Sequence, residues 1–210
     1  VLVHVLRYLS QKDRGWWFID AHAGAGAYDL RGEPARRSAE ANDGIAKLWE
    51  LEDLPPGLLA YRDEVRNYNV ARGDGKLPRY YPGSPQIALQ NARAQDRLRL
   101  FEAHPTDAAA LRKFFSGAAP RVLIKDEDSF TGINALLPPP TRRGLVMLDP
   151  SYENKSDYAR TIGVLKAAIE RFATGTYLVW YPIIQRLEAQ GFPARLKRVQ
   201  AKNWLHASLT

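Results

Sequence analysis

Cysteine is absent from the 210-residue chain, which excludes a disulfide framework, a thiolate zinc site and a cysteine nucleophile. Methionine is almost absent. Met147 is the sole example, so Val1 is not an initiator. The chain is expected to begin inside a longer sequence, and Leu209-Thr210 looks like an equally abrupt end. No apolar run approaches the ~18 residues of a membrane span. With no secretory leader at Val1, a cytoplasmic setting is expected. Histidine is scarce: His4, His22, His104 and His206 form no His-x3-His pair, so no metal site is expected. A P-loop and a G-x-S-x-G nucleophile elbow are also missing.

Composition is otherwise that of a globular domain, with 45% hydrophobic and 25% charged residues. The net charge of +7 is unevenly placed. Lys/Arg and Asp/Glu balance in residues 1–30 and again in 31–80. Residues 81–210 hold 18 basic against 11 acidic side chains, and 191–210 contribute Arg195, Lys197, Arg198 and Lys202 with no acid. Such an excess is either a solvated face or a surface that tracks phosphates.

Five short apolar runs read as buried parallel strands: Trp16–Asp20, Leu98–Glu102, Arg121–Lys125, Gly144–Leu148 and Thr176–Tyr181. Helical patterns lie between them, as at Ala108–Phe115 and Tyr158–Phe172. The alternation predicts a doubly wound α/β fold. Residues 31–80 break the rhythm. Their periodicity is helical (Ile45, Leu48, Trp49; then Leu58, Leu59, Tyr61, Val65, Tyr68), no strand is evident, and 69–78 reads as a loop. A core of 1–30 and 81–210 with a helical insertion at 31–80 is expected. In such sheets ligands bind at the carboxyl ends of the strands, where strand order reverses.

Three motifs fall at those ends. Asp20-Ala21-His22-Ala23-Gly24-Ala25-Gly26 follows the first strand, and its small residues let a ligand approach the backbone or simply make a tight turn. Glu102 closes the second strand, where a carboxylate can accept from ribose hydroxyls or cap a turn. His104 beside it reads as a capping residue. Asp149-Pro150-Ser151-Tyr152 follows the fourth strand. An exocyclic amine on a nucleobase is a weak nucleophile because its lone pair is delocalised into the ring. A carboxylate and a following carbonyl can grip its N–H groups as positive charge develops on nitrogen. Proline stiffens the turn, and an aromatic side chain can stack on a base. As a plain strand–turn, Asp149 would only cap a helix. Two weaker clusters are Tyr80–Pro85, a turn at a helix start with Ser84 as a possible ligand contact, and Asp126-Glu127-Asp128-Ser129, where an adenine ring could be held.

In this order the motifs resemble class I S-adenosylmethionine-dependent methyltransferases, whose amine-modifying members carry [D/N/S]-P-P-[Y/F/W]. Ser151 stands where the second proline is usual. A closer resemblance is carried by residues 20–28, 44–49, 53–55, 79–85, 102–107, 142–158 and 171–182, which together are similar to the RlmJ-type family of bacterial 23S ribosomal RNA adenine-N6 methyltransferases. It covers about residues 1–182 and thins beyond Pro182. The resemblance implies a Rossmann-like class I methyltransferase sheet with a small helical insertion between strands 1 and 2. It also implies S-adenosylmethionine as cofactor, unassembled or naked 23S ribosomal RNA as partner, and a monomer. By it, Asp149 accepts from the target amine, the Pro150 carbonyl takes the second amine hydrogen, and Tyr152 stacks on adenine. His4, His22, Ser84, Glu102, Asp128, Ser129 and Asp149 line the cofactor pocket with the Asp20, Gly24 and Gly26 turn. Glu102 holds the ribose and Asp128 the cofactor adenine. The alternatives are a DNA adenine-N6 methyltransferase and a non-catalytic nucleic-acid-binding protein on a decayed methyltransferase fold.

Overall fold

A computed structural model describes residues 1–32 and 44–208. The part of the expected insertion at 33–43, like Leu209-Thr210, lies outside the described residues. The main sheet has five strands: β1 (Trp17–Asp20), β4 (Arg97–Phe101), β5 (Val122–Lys125), β6 (Gly144–Leu148) and β7 (Thr176–Val179). Their order is β5-β4-β1-β6-β7, and every neighbouring pair is parallel. The chain runs outward from β1 through β4 to β5, then crosses to β6 on the other side. Strand order therefore reverses at β1, and a crevice opens there at the carboxyl ends.

Alternate residues of each strand feed two cores. On one face Ile19, Phe101, Val146 and Leu148 meet Tyr158, Ile162 and Leu165 of α7 (Ser156–Arg171) and Phe192 of α8 (Leu187–Lys197). On the other, Phe18, Leu98, Leu100 and Leu145 meet Leu6 of α1 (Leu2–Ser10), Ile87 of α4 (Ser84–Asn91) and Leu111 of α5 (Pro105–Phe114). Helix α1 buries Val3, Leu6 and Leu9, one stripe at helical spacing. No helix among the described residues is long and apolar enough to cross a membrane.

Between β1 and β4 lie α2 (Ile45–Trp49) and α3 (Pro56–Val70). They carry a small cluster of their own in which Ile45, Trp49 and Val65 pack with Leu30, Tyr61 and Tyr81. The absence of strands from this region is corrected at its rim. Ala27–Asp29 (β2) and Tyr80–Pro82 (β3) pair as an antiparallel ribbon, so Tyr80–Pro82 is a strand and not a turn. Neither strand alone has a readable alternation. The ribbon is fixed by a distant side chain instead: the fully buried Asn69 of α3 donates to the carbonyls of Val65 and Tyr80 and accepts from the N–H groups of Arg79 and Tyr80. Each of its hydrogen-bonding groups is thus satisfied inside the protein. Buried Glu64 adds a second tie, accepting from Arg7 of α1 at 3.0 Å and Gln90 of α4 at 3.0 Å. Two shorter elements close the list: α6 (Ser129–Gly132) and a 3₁₀ turn at Ile133–Leu136.

Candidate functional site

The β1 turn needs two residues with positive φ, and glycine supplies both: Gly24 at +58° and Gly26 at +86°. Glu102, just past β4, accepts from the N–H of Gly24 at 2.8 Å and of His104 at 2.8 Å, so it ties two strand ends together. The Gly26 carbonyl accepts from the N–H of Gly83 at 2.9 Å, which seats the start of α4 beside the turn. From that start Ser84 donates to Asp20 at 2.6 Å.

Two cavities lie over these ends and meet at His22. The first, about 360 Å³, is lined by His4, His22, Ser84, Asp149 and Trp180, among others. The second, about 260 Å³, is lined by His22, Glu102, Asp128, Ser129, Pro150 and Ser151, among others. His22 connects them chemically. Its Nδ1 accepts from the Asp149 N–H at 3.3 Å, and its Nε2 lies 3.4 Å from Ser129 Oγ. Burial holds this imidazole neutral, with its pKa lowered to about 4; nearby Asp128 opposes the shift and Arg160 adds to it. In the second cavity, Asp128 caps α6 through the Phe130 N–H and pairs with Arg160, whose guanidinium lies 4.2 Å over the Phe130 ring.

The structure thus brings His4, His22, Ser84, Glu102, Asp128, Ser129 and Asp149 to one composite cleft, with Asp149 and Pro150 facing different halves. Three others line neither half. Asp20 is fully buried and holds Ser84 and the His22 N–H; burial is the main reason its pKa is raised to about 7, with Asp149 and Glu102 adding to it. Gly24 and Gly26 shape the turn from beneath.

Tyr152 requires a correction. At 1% exposure it cannot offer a face to a base. A left-handed backbone at φ +56° turns the ring inward against Tyr158 and Phe192, and its hydroxyl donates to the Trp180 carbonyl at 2.8 Å. A Tyr four residues into a turn reads identically from sequence whether it points in or out. Trp180, Phe130 and Arg160 escaped sequence reasoning. Trp180 was detectable by register: it follows β7 as Asp149 follows β6, and Leu148 pairs with Val179.

Burial also raises the Asp149 pKa, to about 6, which leaves a carboxylate at neutral pH in a half-dry pocket. Such a group is a strong acceptor for N–H donors. The acids of the second cavity suit hydroxyl and amine donors of a nucleoside. Among the described residues no group of three His, Asp or Glu is placed to hold a metal ion.

The chain matches, over residues 13–210, the family described as ribosomal RNA large subunit methyltransferase D, RlmJ. It is 43% identical over 182 residues to ribosomal RNA large subunit methyltransferase J of Escherichia coli, covering 87% of this chain and 63% of that protein. The protein of the same name from Haemophilus influenzae is 40% identical over 190 residues, 90% of this chain and 66% of its own length. The chain therefore spans just under two thirds of these relatives. A crystal structure of a Legionella pneumophila protein superposes with a TM-score of 0.83 at 36% identity, covering 96% of this chain and 72% of that one.

Proposed function

The chain belongs to the RlmJ family of ribosomal RNA large subunit methyltransferases, and from this we propose that it transfers a methyl group from S-adenosylmethionine to the exocyclic N6 amine of an adenine in 23S ribosomal RNA. The observation that carries the reading is Asp149: a half-buried carboxylate at the switch point of the sheet, in a cleft whose other half is lined with acceptors for a nucleoside.

The residues present fit the cofactor. Glu102 has carboxylate lone pairs left for ribose hydroxyls after accepting from Gly24 and His104. Asp128 and Ser129 would face the cofactor adenine, and His22, Ser84 and His4 would receive the amino-acid portion. When bound, S-adenosylmethionine supplies an electrophilic methyl on a sulfonium centre. The protein's own contribution is to orient and polarise the amine. Asp149 would accept a hydrogen bond from one amine N–H and stabilise the positive charge that develops on nitrogen, and Pro150, which follows it and lines the adjoining half, would offer its carbonyl to the other N–H; as the C–N bond forms the methyl–sulfur bond breaks, S-adenosylhomocysteine is released, and one amine proton is lost to solvent. The target base must be unpaired to reach this depth. The basic excess of 81–210, with Arg195 and Lys197 on α8, supports a role in holding phosphates. A ribosomal RNA substrate supports a cytoplasmic setting, and the proposed partner is 23S ribosomal RNA in unassembled or naked form.

The test is incubation with methyl-labelled S-adenosylmethionine and unmodified 23S ribosomal RNA, followed by nucleoside analysis. Labelled N6-methyladenosine is expected. Its absence while S-adenosylhomocysteine still binds, or preferential labelling of competing duplex DNA, overturns the proposal.

A further inference from the structure

The two ends of the main sheet carry opposite charge. The segments that leave its five strands, residues 20–26, 102–107, 126–129, 149–155 and 180–186, hold eight acidic side chains and two basic ones. The segments that enter them, residues 11–16, 92–97, 116–121, 137–143 and 172–175, hold seven basic side chains and two acidic ones. Strands of four or five residues at about 3.3 Å each put more than a Debye length between the ends, so each charge acts on what lies beside it. The cleft therefore sits at the end that repels phosphates, and the far end attracts them. Folding explains part of the basic end. Arg93 pairs with the fully buried Asp96 at 3.0 Å and donates to the Ser10 and Lys12 carbonyls, while Arg143 donates to the carbonyls of Leu9 and Arg14. These contacts hold the carboxyl end of α1. They also draw together the loops of Lys12, Arg14 and Arg142, whose exposed side chains make no hydrogen bond or ion pair among the described residues. Asp13 is the one exposed acid in the five entering segments. Arg142 holds a left-handed backbone at φ +51°, which disfavours any residue with a Cβ. Gathered cations without counter-charges oppose folding, so the fold supplies no reason for them.

We propose that Lys12, Arg14 and Arg142 form a second anchoring surface, at the end of the sheet opposite the cleft, that grips phosphates of the RNA flanking the target adenine. This rests on the methylation reading above for the identity of the RNA. A route joins the two ends. Trp17 of β1 is in register with Arg97 of β4, and alternation puts Arg99 on the same face. The Arg99 guanidinium lies 4.1 Å over the Trp17 ring. Leu123 of β5, in register with Arg99, is 46% exposed, so this stretch of the sheet face is open. Burial and the neighbouring Arg97 both push the Arg99 pKa down, with no acid offsetting them. An RNA stem can lay successive phosphates along Arg99, Arg97 and the basic end while one unpaired base enters the cleft.

The experiment measures affinity for unmodified 23S ribosomal RNA across a range of KCl concentrations, alongside the KM for the same RNA. A variant combining Lys12→Gln, Arg14→Gln and Arg142→Gln should bind about tenfold more weakly at about 0.1 M KCl. The slope of log affinity against log salt should shrink by about two to three, the scale of three lost phosphate contacts. KM should rise in step, and affinity for S-adenosylhomocysteine should stay within about twofold. Arg14→Lys with Arg142→Lys should keep both affinity and slope, because a point charge suffices for a phosphate. Arg142→Gly suits the left-handed backbone, so it should weaken RNA binding without lowering resistance to urea. Unchanged RNA affinity and salt slope in the triple variant overturns the proposal. So does a loss that the lysine variant shares. Polyglutamate that binds more tightly than the RNA, and loses its affinity in the triple variant, would assign the surface to an acidic protein and also overturn it. If RNA binding depends on the three cations but no adenine is methylated, the anchoring surface stands and the methylation reading falls.

Discussion

The Nδ1 atom of His22 accepts a hydrogen bond from the backbone N–H of Asp149 at 3.3 Å, so the residue that joins the two cavities also anchors the turn that carries the acid. This fixes the tautomer. An accepting Nδ1 leaves the proton on Nε2, which faces Ser129 Oγ at 3.4 Å. A neutral ring is required, and burial secures it by lowering the pKa to about 4.

His22→Ala should therefore lower methyl transfer about tenfold, the scale of one hydrogen bond that places a reacting group. His22→Asn, whose side-chain oxygen can accept near the Nδ1 position, should recover part of the loss. Single-turnover rates with saturating cofactor read this directly. Equal activity of the wild type and His22→Ala would remove His22 from the positioning of Asp149.

Asp149 carries the negative charge that stabilises the developing cation only when ionised. Burial raises its pKa to about 6, so the rate should be low at pH 5, rise through pH 6 and level off above pH 7. Asp149→Asn keeps the shape but loses the charge. It should reduce turnover by at least about a hundredfold, the scale seen when a preorganised electrostatic contact is removed. It should also abolish the rise near pH 6. A pH profile that is flat between 5 and 7 would contradict the assignment.

The stability of the fold should report Asp20. Its folded pKa, about 7, lies above the ordinary value of 3.8, because burial disfavours the charge. The folded state therefore holds a proton that the unfolded state has already released. The contribution is fully present below about pH 4 and is lost as pH rises to about 7. Urea unfolding of the wild type and Asp20→Asn at pH 5 and pH 8 checks the sign. The wild type should lose stability relative to the variant between the two values, and an unchanged difference would argue against it.

What was legible in the sequence divides along physical lines. The parallel strands were readable because burial on both faces demands continuous apolar runs, and all five appear within two residues of expectation, as at Gly144–Leu148. The cleft acids were readable because strand ends in this fold point into one crevice. Side-chain direction was not. Tyr152 turns inward because its backbone is left-handed, a choice made by Tyr158 and Phe192 rather than by its neighbours in sequence. The β2–β3 ribbon was hidden for the same reason, since Asn69 fixes it from a helix ten residues before Arg79.

Two glycines separate backbone strain from crowding. Gly26 and Gly73 share similar positive φ values, +86° and +78°. A methyl group at Gly73 would meet nothing within 4 Å, whereas at Gly26 it would lie 3.1–3.2 Å from Leu111, Phe114 and Phe115. Alanine at Gly73 should cost only the left-handed conformation, about 1 kcal/mol. Alanine at Gly26 should cost about 1–3 kcal/mol more, because a packed core resists an added methyl group. It should also shift α5 against the turn that presents His22 and weaken S-adenosylhomocysteine binding, which Gly73→Ala should leave unchanged. Chemical denaturation and calorimetry of the pair decide it. Equal destabilisation would mean that the α5 packing yields freely, and that the turn is held by its hydrogen bonds to Glu102 and Gly83 rather than by the core beneath it.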